Sequence, residues 1–171
     1  MNIEYTLVRE LQPYPNNART HSRKQIRQIA NSIKRFGFNN PVLIDDKCQV
    51  IAGHGRVEAA KLLGLHAVPT VRLSHLSDVD KRAYILADNK LAAKAGWDRE
   101  MLATELQGLL ELDFDIELTG FEMPEVDVIL DEAQEAKDAA GGPEDVLDVV
   151  RLRQPHLVDD DAALGAVRKQ H

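Results

Sequence analysis

The stretch that most constrains the fold is residues 50–65: Val50-Ile51-Ala52-Gly53-His54-Gly55-Arg56-Val57-Glu58-Ala59-Ala60-Lys61-Leu62-Leu63-Gly64-Leu65. It opens apolar, as a buried strand does, and breaks at two glycines. It then keeps helical spacing through Val57, Ala60 and Leu63 to Gly64, a C-terminal stop signal. A Gly-x-Gly turn that opens a helix presents free backbone N–H groups and the positive end of the helix dipole, a ready anion site. Arg56 stands where its guanidinium can grip a phosphate through two parallel hydrogen bonds. Two readings remain open at this level: an anion cradle, or a plain strand-to-helix turn with a solvated arginine.

The flanking chain supplies the other elements. Ile3, Tyr5, Leu7 and Leu11 alternate as a strand. Two prolines and two asparagines make residues 11–19 an ordered loop. Ser22 caps a helix whose Ile26, Ile29, Ala30 and Ile33 share one face, and Gly37 ends it. Val42-Leu43-Ile44 and Gln49-Val50-Ile51 read as a hairpin about Asp45-Asp46-Lys47. Residues 67–73 read as a further strand, which Pro69 puts at an edge or near the strand start.

A helix starts at Ser77, with Tyr84, Ala87 and Leu91 on one face and Ile85 beside them. Asp88-Asn89 falls in mid-helix, where both residues are poor formers; the pair points at a ligand or bonds across to a neighbouring turn. Asp98 caps a helix with Leu102, Leu106 and Leu109 inward. Residues 113–118 alternate as a short extended piece. Residues 123–140 form an acidic helix with Val126, Ile129, Leu130 and Ala133 as its apolar positions. The division is a core at 1–75, a helical extension of the same domain at 76–140, and a flexible or partner-dependent tail at 141–171, within which only residues 146–152 suggest a helical turn or two.

Charge separates the two halves. Residues 1–72 hold eleven Lys/Arg against five Asp/Glu, and residues 73–171 ten against twenty-three, within a net charge of −7. A positive field around the glycine turn attracts nucleotides or nucleic acid. Arg23, Lys24, Arg27, Lys34 and Arg35 are candidate contacts to a DNA backbone. The acidic half would repel DNA and face solvent or a protein partner, so no helix-turn-helix reader is expected after residue 73. Cys48 is the single cysteine, which rules out an internal disulfide. No apolar run is long enough to span a bilayer, and the first nine residues lack a signal-peptide core. A cytoplasmic protein with no membrane partner is expected. His21 and His66 show no paired spacing, and no metal-spaced His/Cys cluster exists.

In their order and spacing these stretches resemble the ParB N-terminal domain, within the ParB/sulfiredoxin superfamily, over about residues 3–140. Pro15-Asn16-Asn17-Ala18-Arg19 resembles the family's first box, whose arginine, here Arg19, helps hold a nucleoside triphosphate. Gly37-Phe38-Asn39-Asn40-Pro41 resembles its Gly-x-x-Gln-Pro turn, with Asn40 for Gln. Gly53-His54-Gly55-Arg56 resembles the phosphate-binding Gly-Glu-Arg-Arg box, with Gly53 and Arg56 matching. Asp88-Asn89 resembles the Glu-Asn-x-x-Arg box that binds metal and phosphate, with Ala92 at the arginine position. The run 87–92, with Gly96-Trp97-Asp98 and Thr119-Gly120-Phe121, is similar to a phage- and plasmid-associated subgroup often found ahead of a DNA methyltransferase. This sequence carries no methyltransferase signature.

The resemblance implies an α+β fold, a small mixed sheet with packed helices followed by a helical C-terminal part. It implies nucleotide binding by Arg19, Gly53, His54, Gly55, Arg56 and Asn89, with Mg²⁺ at Asp88, and a homodimer as one assembly. The expected function is a CTP- or ATP-binding module tied to DNA partition, modification or phage and plasmid maintenance. The alternative is an enzyme of the same fold, an NTPase, nuclease or small-molecule kinase, with His54 and Asp88 as candidate catalytic residues. His54 serves there as a general base, or else only hydrogen-bonds the turn or a phosphate. Sulfiredoxin chemistry is not expected, because His54 stands where that branch has its cysteine.

Overall fold

The computed structural model describes residues 2–140. Met1–Glu135 form one compact unit; of the second, Ala136–His171, only helical residues to Ala140 are described. The expected tail at 141–171 lies outside the described residues.

Four strands make one mixed sheet in the order β1-β4-β2-β3. They are β1 (Ile3–Leu7), β2 (Val42–Ile44), β3 (Val50–Ala52) and β4 (Ala67–Arg72). β1 runs antiparallel to β4, β4 parallel to β2, and β2 antiparallel to β3. The helices are α1 (Arg23–Phe36), α2 (His54–Leu62), α3 (Asp78–Ala92), α4 (Arg99–Glu111) and α5 (Met123–Ala140). The α+β fold of the sequence reading is therefore the one observed.

Alternation along the strands sends side chains to two layers. Val42, Ile44, Val50 and Val68 pack with Val57 and Ala60 of α2. Ile51, Val71 and Leu73 pack on the opposite face with Ile85 of α3. A third cluster joins Leu102, Ala103 and Leu106 of α4 to Ile116 and to Val126 and Ile129 of α5. The buried hydroxyls of Thr6 and Thr70 bond to each other at 2.7 Å, and Thr70 Oγ1 also donates to the Glu4 carbonyl at 3.2 Å.

The expected caps are in place. Ser22, Ser77 and Asp98 each accept a backbone N–H from the first turn of α1, α3 and α4. α2 closes on Gly64 at φ +67°, with Leu65 N–H donating to Ala60 and Gly64 N–H to Lys61. In the β2–β3 turn, buried Asp45 accepts the N–H groups of Lys47 and Gln49 on one oxygen and meets Lys81 Nζ with the other.

Three expectations are refined. Of the two placements for Pro69, the edge is excluded, because β4 is an interior strand, and the strand start holds, with Pro69 third in it. Leu73 N–H donates to Ile44, so by alternation the Pro69 nitrogen faces the β2 side before the pairing of Val42 with Thr70 begins, and no ladder bond is lost. Residues 113–118 are not extended: Asp113 takes φ +58°, and Asp115 caps a 3-10 turn at Ile116–Thr119. Among the described residues no strand pairs with them to reward alternation, and Phe114 stacks on Phe36 instead. On α3 the inward stripe is Ile85, with Lys81 and Asn89 half-buried one turn either side, whereas Tyr84, Ala87 and Leu91 are exposed. α3 meets the sheet along so narrow a line that its larger apolar set is left outside.

Candidate functional site

β3 ends at Ala52, and Gly53 turns the chain into α2 at φ +98°. A side chain is disfavoured in that left-handed conformation, and a Cβ at this position would stand 2.7 Å from Arg56 Nη2. The Arg56 guanidinium thus folds back over the turn that carries it. Gly55 is close-packed for a second reason: a Cβ there would lie 3.0 Å from Ile29 of α1 and 3.1 Å from the His21 ring. The two glycines let α1 and the loop before it close against the amino end of α2. As glycine N-cap, Gly53 leaves the opening N–H groups of α2 without a side-chain acceptor.

The loop at 11–19 is fastened to this corner. Gln12 bridges to the outer edge of β3 beside Gln49, and Tyr14 N–H donates to His54 Nε2 at 3.3 Å. Asn17 brackets the Arg19 backbone through both amide atoms. Arg19 Nη1 reaches the Asn89 carbonyl at 3.4 Å, which joins the loop to α3.

Arg19, Gly53, His54, Gly55, Arg56, Asp88 and Asn89 line a single cleft of about 180 Å³, together with Asn17 and His21. Each half of the mid-helix pair takes a different role. Asn89 Nδ2 bonds back to the Ile85 carbonyl at 2.8 Å, while Asp88 borders the cleft. Arg56 also borders an adjoining cleft of about 310 Å³ formed by Gln28, Ser32, Phe38, Asn39 and Asn40.

The electrostatics favour an anion. Arg56 Nε is buried with no hydrogen-bond partner among the described residues. Burial pushes the Arg56 guanidinium below the usual arginine value, and Asp88 pulls it back up. Burial, with His21 next, likewise lowers His54 from its ordinary value, against Glu58. A neutral His54 accepting from Tyr14 has its Nε2 lone pair engaged, the position a general base would use. Among the described residues no group of three or more His, Cys, Asp and Glu is placed to hold a metal ion. Asp88 is thus a single carboxylate at the cleft, suited to Mg²⁺ bound mostly by phosphate oxygens and water.

The sequence reading gave His21 no partner; the structure sets it across α2 beside His54. The missed signal was Gly55, whose lack of a side chain admits the ring. The five basic residues of α1 do not share one surface. Arg23 and Arg27 line a third cleft with Lys61 and Glu58. Lys34 is exposed near their azimuth, as a 3.6-residue period requires. Lys24 pairs with Glu122, and Arg35 lies over the Phe114 ring at 5.8 Å. Cys48 sits at φ +58° in the β2–β3 turn, near the Arg72 guanidinium. No helix among the described residues is long and apolar enough to cross a membrane.

Residues 2–90 match the ParB N-terminal domain, and residues 100–162 match the ParB-methyltransferase HTH domain. The second match runs against the expectation that no helix-turn-helix would follow residue 73. That expectation weighed the acidic surface, whereas the apolar spacing of α4 and α5 is what defines their packing. Among curated proteins, the chain is 52% identical over 82 residues to the ParB-like nuclease domain-containing protein YnaK of Escherichia coli K12, covering 48% of this chain and 94% of that one. It is 46% identical over 44 residues to the uncharacterized protein ORF326b of Acidianus two-tailed virus, covering 26% of this chain and 14% of that one. Its fold is similar to that of C-terminally truncated chromosome-partitioning protein ParB from Caulobacter crescentus complexed with CTP-gamma-S, with a TM-score of 0.64 at 21% identity, covering 82% of this chain and 86% of that one.

Proposed function

We propose, from the premise that this chain belongs to the ParB N-terminal domain family, that it binds a nucleoside triphosphate, CTP or ATP, with Mg²⁺ at residues 53–56. The observation that carries this reading is the buried, partnerless Arg56 Nε, at a cleft which Arg19, Asp88 and the amino end of α2 also line. A buried donor without an acceptor is costly in a native protein, and an arriving phosphate removes that cost. The polyphosphate occupies this cleft, and the nucleoside extends past Arg56 towards Phe38, Asn39 and Asn40. Mg²⁺ at Asp88 neutralises phosphate charge. Arg19 and Arg56 orient the chain of phosphates, and Gly53 and Gly55 let the backbone approach it.

Binding is favoured over turnover, because Tyr14 already occupies the His54 lone pair. The module serves DNA partition, modification or phage and plasmid maintenance, with Arg23, Arg27 and Lys34 contacting DNA phosphates. A homodimer and a protein partner on the acidic half belong to the same reading.

Calorimetric titration with Mg-CTP and Mg-ATP tests it. Wild type binds one of them, and Arg56→Ala binds about 10- to 100-fold more weakly, the loss of a charge-assisted hydrogen-bonded pair. Wild type taking up neither at millimolar concentration, or Arg56→Ala binding as wild type does, overturns the reading. DNA association that does not weaken between low and moderate salt removes the phosphate contacts.

A further inference from the structure

We propose that His21 is a phosphate-positioning residue of this cleft that gains a proton when the triphosphate binds, so that occupancy is coupled to pH. The inference rests on the function proposed above and extends it to a residue that the family boxes leave aside.

The geometry begins with Gln25. His21 Nδ1 lies 3.0 Å from Gln25 Oε1, and an amide oxygen only accepts, so Nδ1 carries the proton. Nε2 is then the unprotonated nitrogen, and it has no hydrogen-bond partner among the described residues. It faces the first turn of α2, where a Cβ on Gly55 would stand 3.2 Å away. The ring therefore offers a lone pair at the place where the helix offers its N–H groups.

A lone pair against a phosphate oxygen is repulsive. The same nitrogen protonated is a donor with a full positive charge, and Gln25 still accepts from the other nitrogen. Anion binding and proton binding at His21 thus reinforce each other, and linkage requires each to strengthen the other equally. His54 cannot substitute, because Tyr14 N–H needs its Nε2 unprotonated.

The charges facing His21 come from every neighbouring element. In the phosphate cleft they are Arg19, Arg56 and Asp88, and the titratable His54 lines both clefts. In the cleft on its other side they are Arg23 and Arg27 from α1, with Glu58 and Lys61 from α2. Cations outnumber carboxylates in both, so a polyanion that enters meets a net positive surround.

The test is calorimetric titration of the full chain with the Mg-triphosphate that wild type binds, in buffers of different ionisation enthalpy at pH 7. Wild type takes up about half to one proton per ligand, and its affinity falls as pH rises from 6.5 to 8.5. His21→Asn keeps the bond to Gln25, loses the uptake, and binds about tenfold more weakly at pH 6.5 but as wild type does at pH 8.5. His66→Asn, a change outside both clefts, keeps the uptake. A second reading needs no variant: the His21 Cε1–H resonance of wild type moves to the imidazolium position when triphosphate is added at pH 7. Triphosphate binding with proton uptake unchanged in His21→Asn, or with the resonance unmoved, overturns this inference and leaves the proposed function standing. Absence of triphosphate binding at every pH overturns the proposed function itself, and this inference with it.

Discussion

Replacing Gly53 by alanine separates what the turn does for stability from what it does for binding. At φ +98° an L-residue costs roughly 1–2 kcal/mol relative to glycine. The new methyl stands 2.7 Å from Arg56 Nη2 and 3.0 Å from Nε, so the guanidinium must leave its seat over the turn. That movement is confined to the end of a flexible side chain, and no core side chain has to shift with it. The stability loss is therefore the backbone term alone, a fall in Tm of about 3–8 °C for a chain of this size. Triphosphate affinity falls further, by about 10- to 100-fold, because the charged donors no longer converge on the α2 terminus. Melting curves and calorimetric titration of Gly53→Ala, Arg56→Ala and the double variant provide the assay. In the Arg56→Ala background the glycine change costs stability only. A Gly53→Ala protein that melts lower but binds as wild type does refutes the reasoning, since the guanidinium's seat would then be irrelevant to the ligand.

Thr70→Val leaves the buried Thr6 hydroxyl without its 2.7 Å partner and lowers unfolding free energy in urea by about 1–3 kcal/mol; Thr6→Val with Thr70→Val recovers much of it. Burial alone would raise the Asp45 carboxyl, but the N–H groups of Gln49 and Lys47, with Lys81, outweigh it and hold Asp45 below its ordinary value. Its contribution is complete above about pH 3.8 and is lost as pH falls through the lower folded value; acid-unfolding curves of Asp45→Asn should lack that component. His54 is also depressed, by burial first and His21 second, so the unfolded chain binds the proton more readily. Stability is therefore full above about pH 6.5 and declines as pH drops through the window below it, a slope that His54→Asn flattens in urea titrations. Ile129→Ala opens the α4–α5 core, where this side chain is 2% exposed, and costs about 2–5 kcal/mol by the same measurement.

Much of the architecture was written locally in the chain. Ser22, Ser77 and Asp98 cap the helices that follow them, and Gly37 and Gly64 end theirs, because capping is decided within a few residues. The candidate cleft was legible residue by residue, since the boxes around Arg19, Gly53 and Asp88 announce themselves separately. What converged late was anything set by long-range neighbours. Strand direction depends on β4 entering between β1 and β2, which no local pattern encodes. On α3 apolar spacing groups Tyr84, Ala87 and Leu91 on one face, but it reports what a helix could bury, not how much of the sheet is there to receive it. His21 escaped notice because its partner on α2 is a residue with no side chain.

The central position of β4 has a consequence for how the protein is made. Of the four strands β1 leaves the ribosome before the others, yet its partner spans residues 67–72, and β2 waits for the same segment. The β2–β3 hairpin can pair as soon as it emerges, whereas the amino-terminal strand stays single until some sixty further residues have been translated. Synthesis thus delivers the glycine turn at residues 53–55 before the sheet that braces it, and arrival of β4 completes the order of strands.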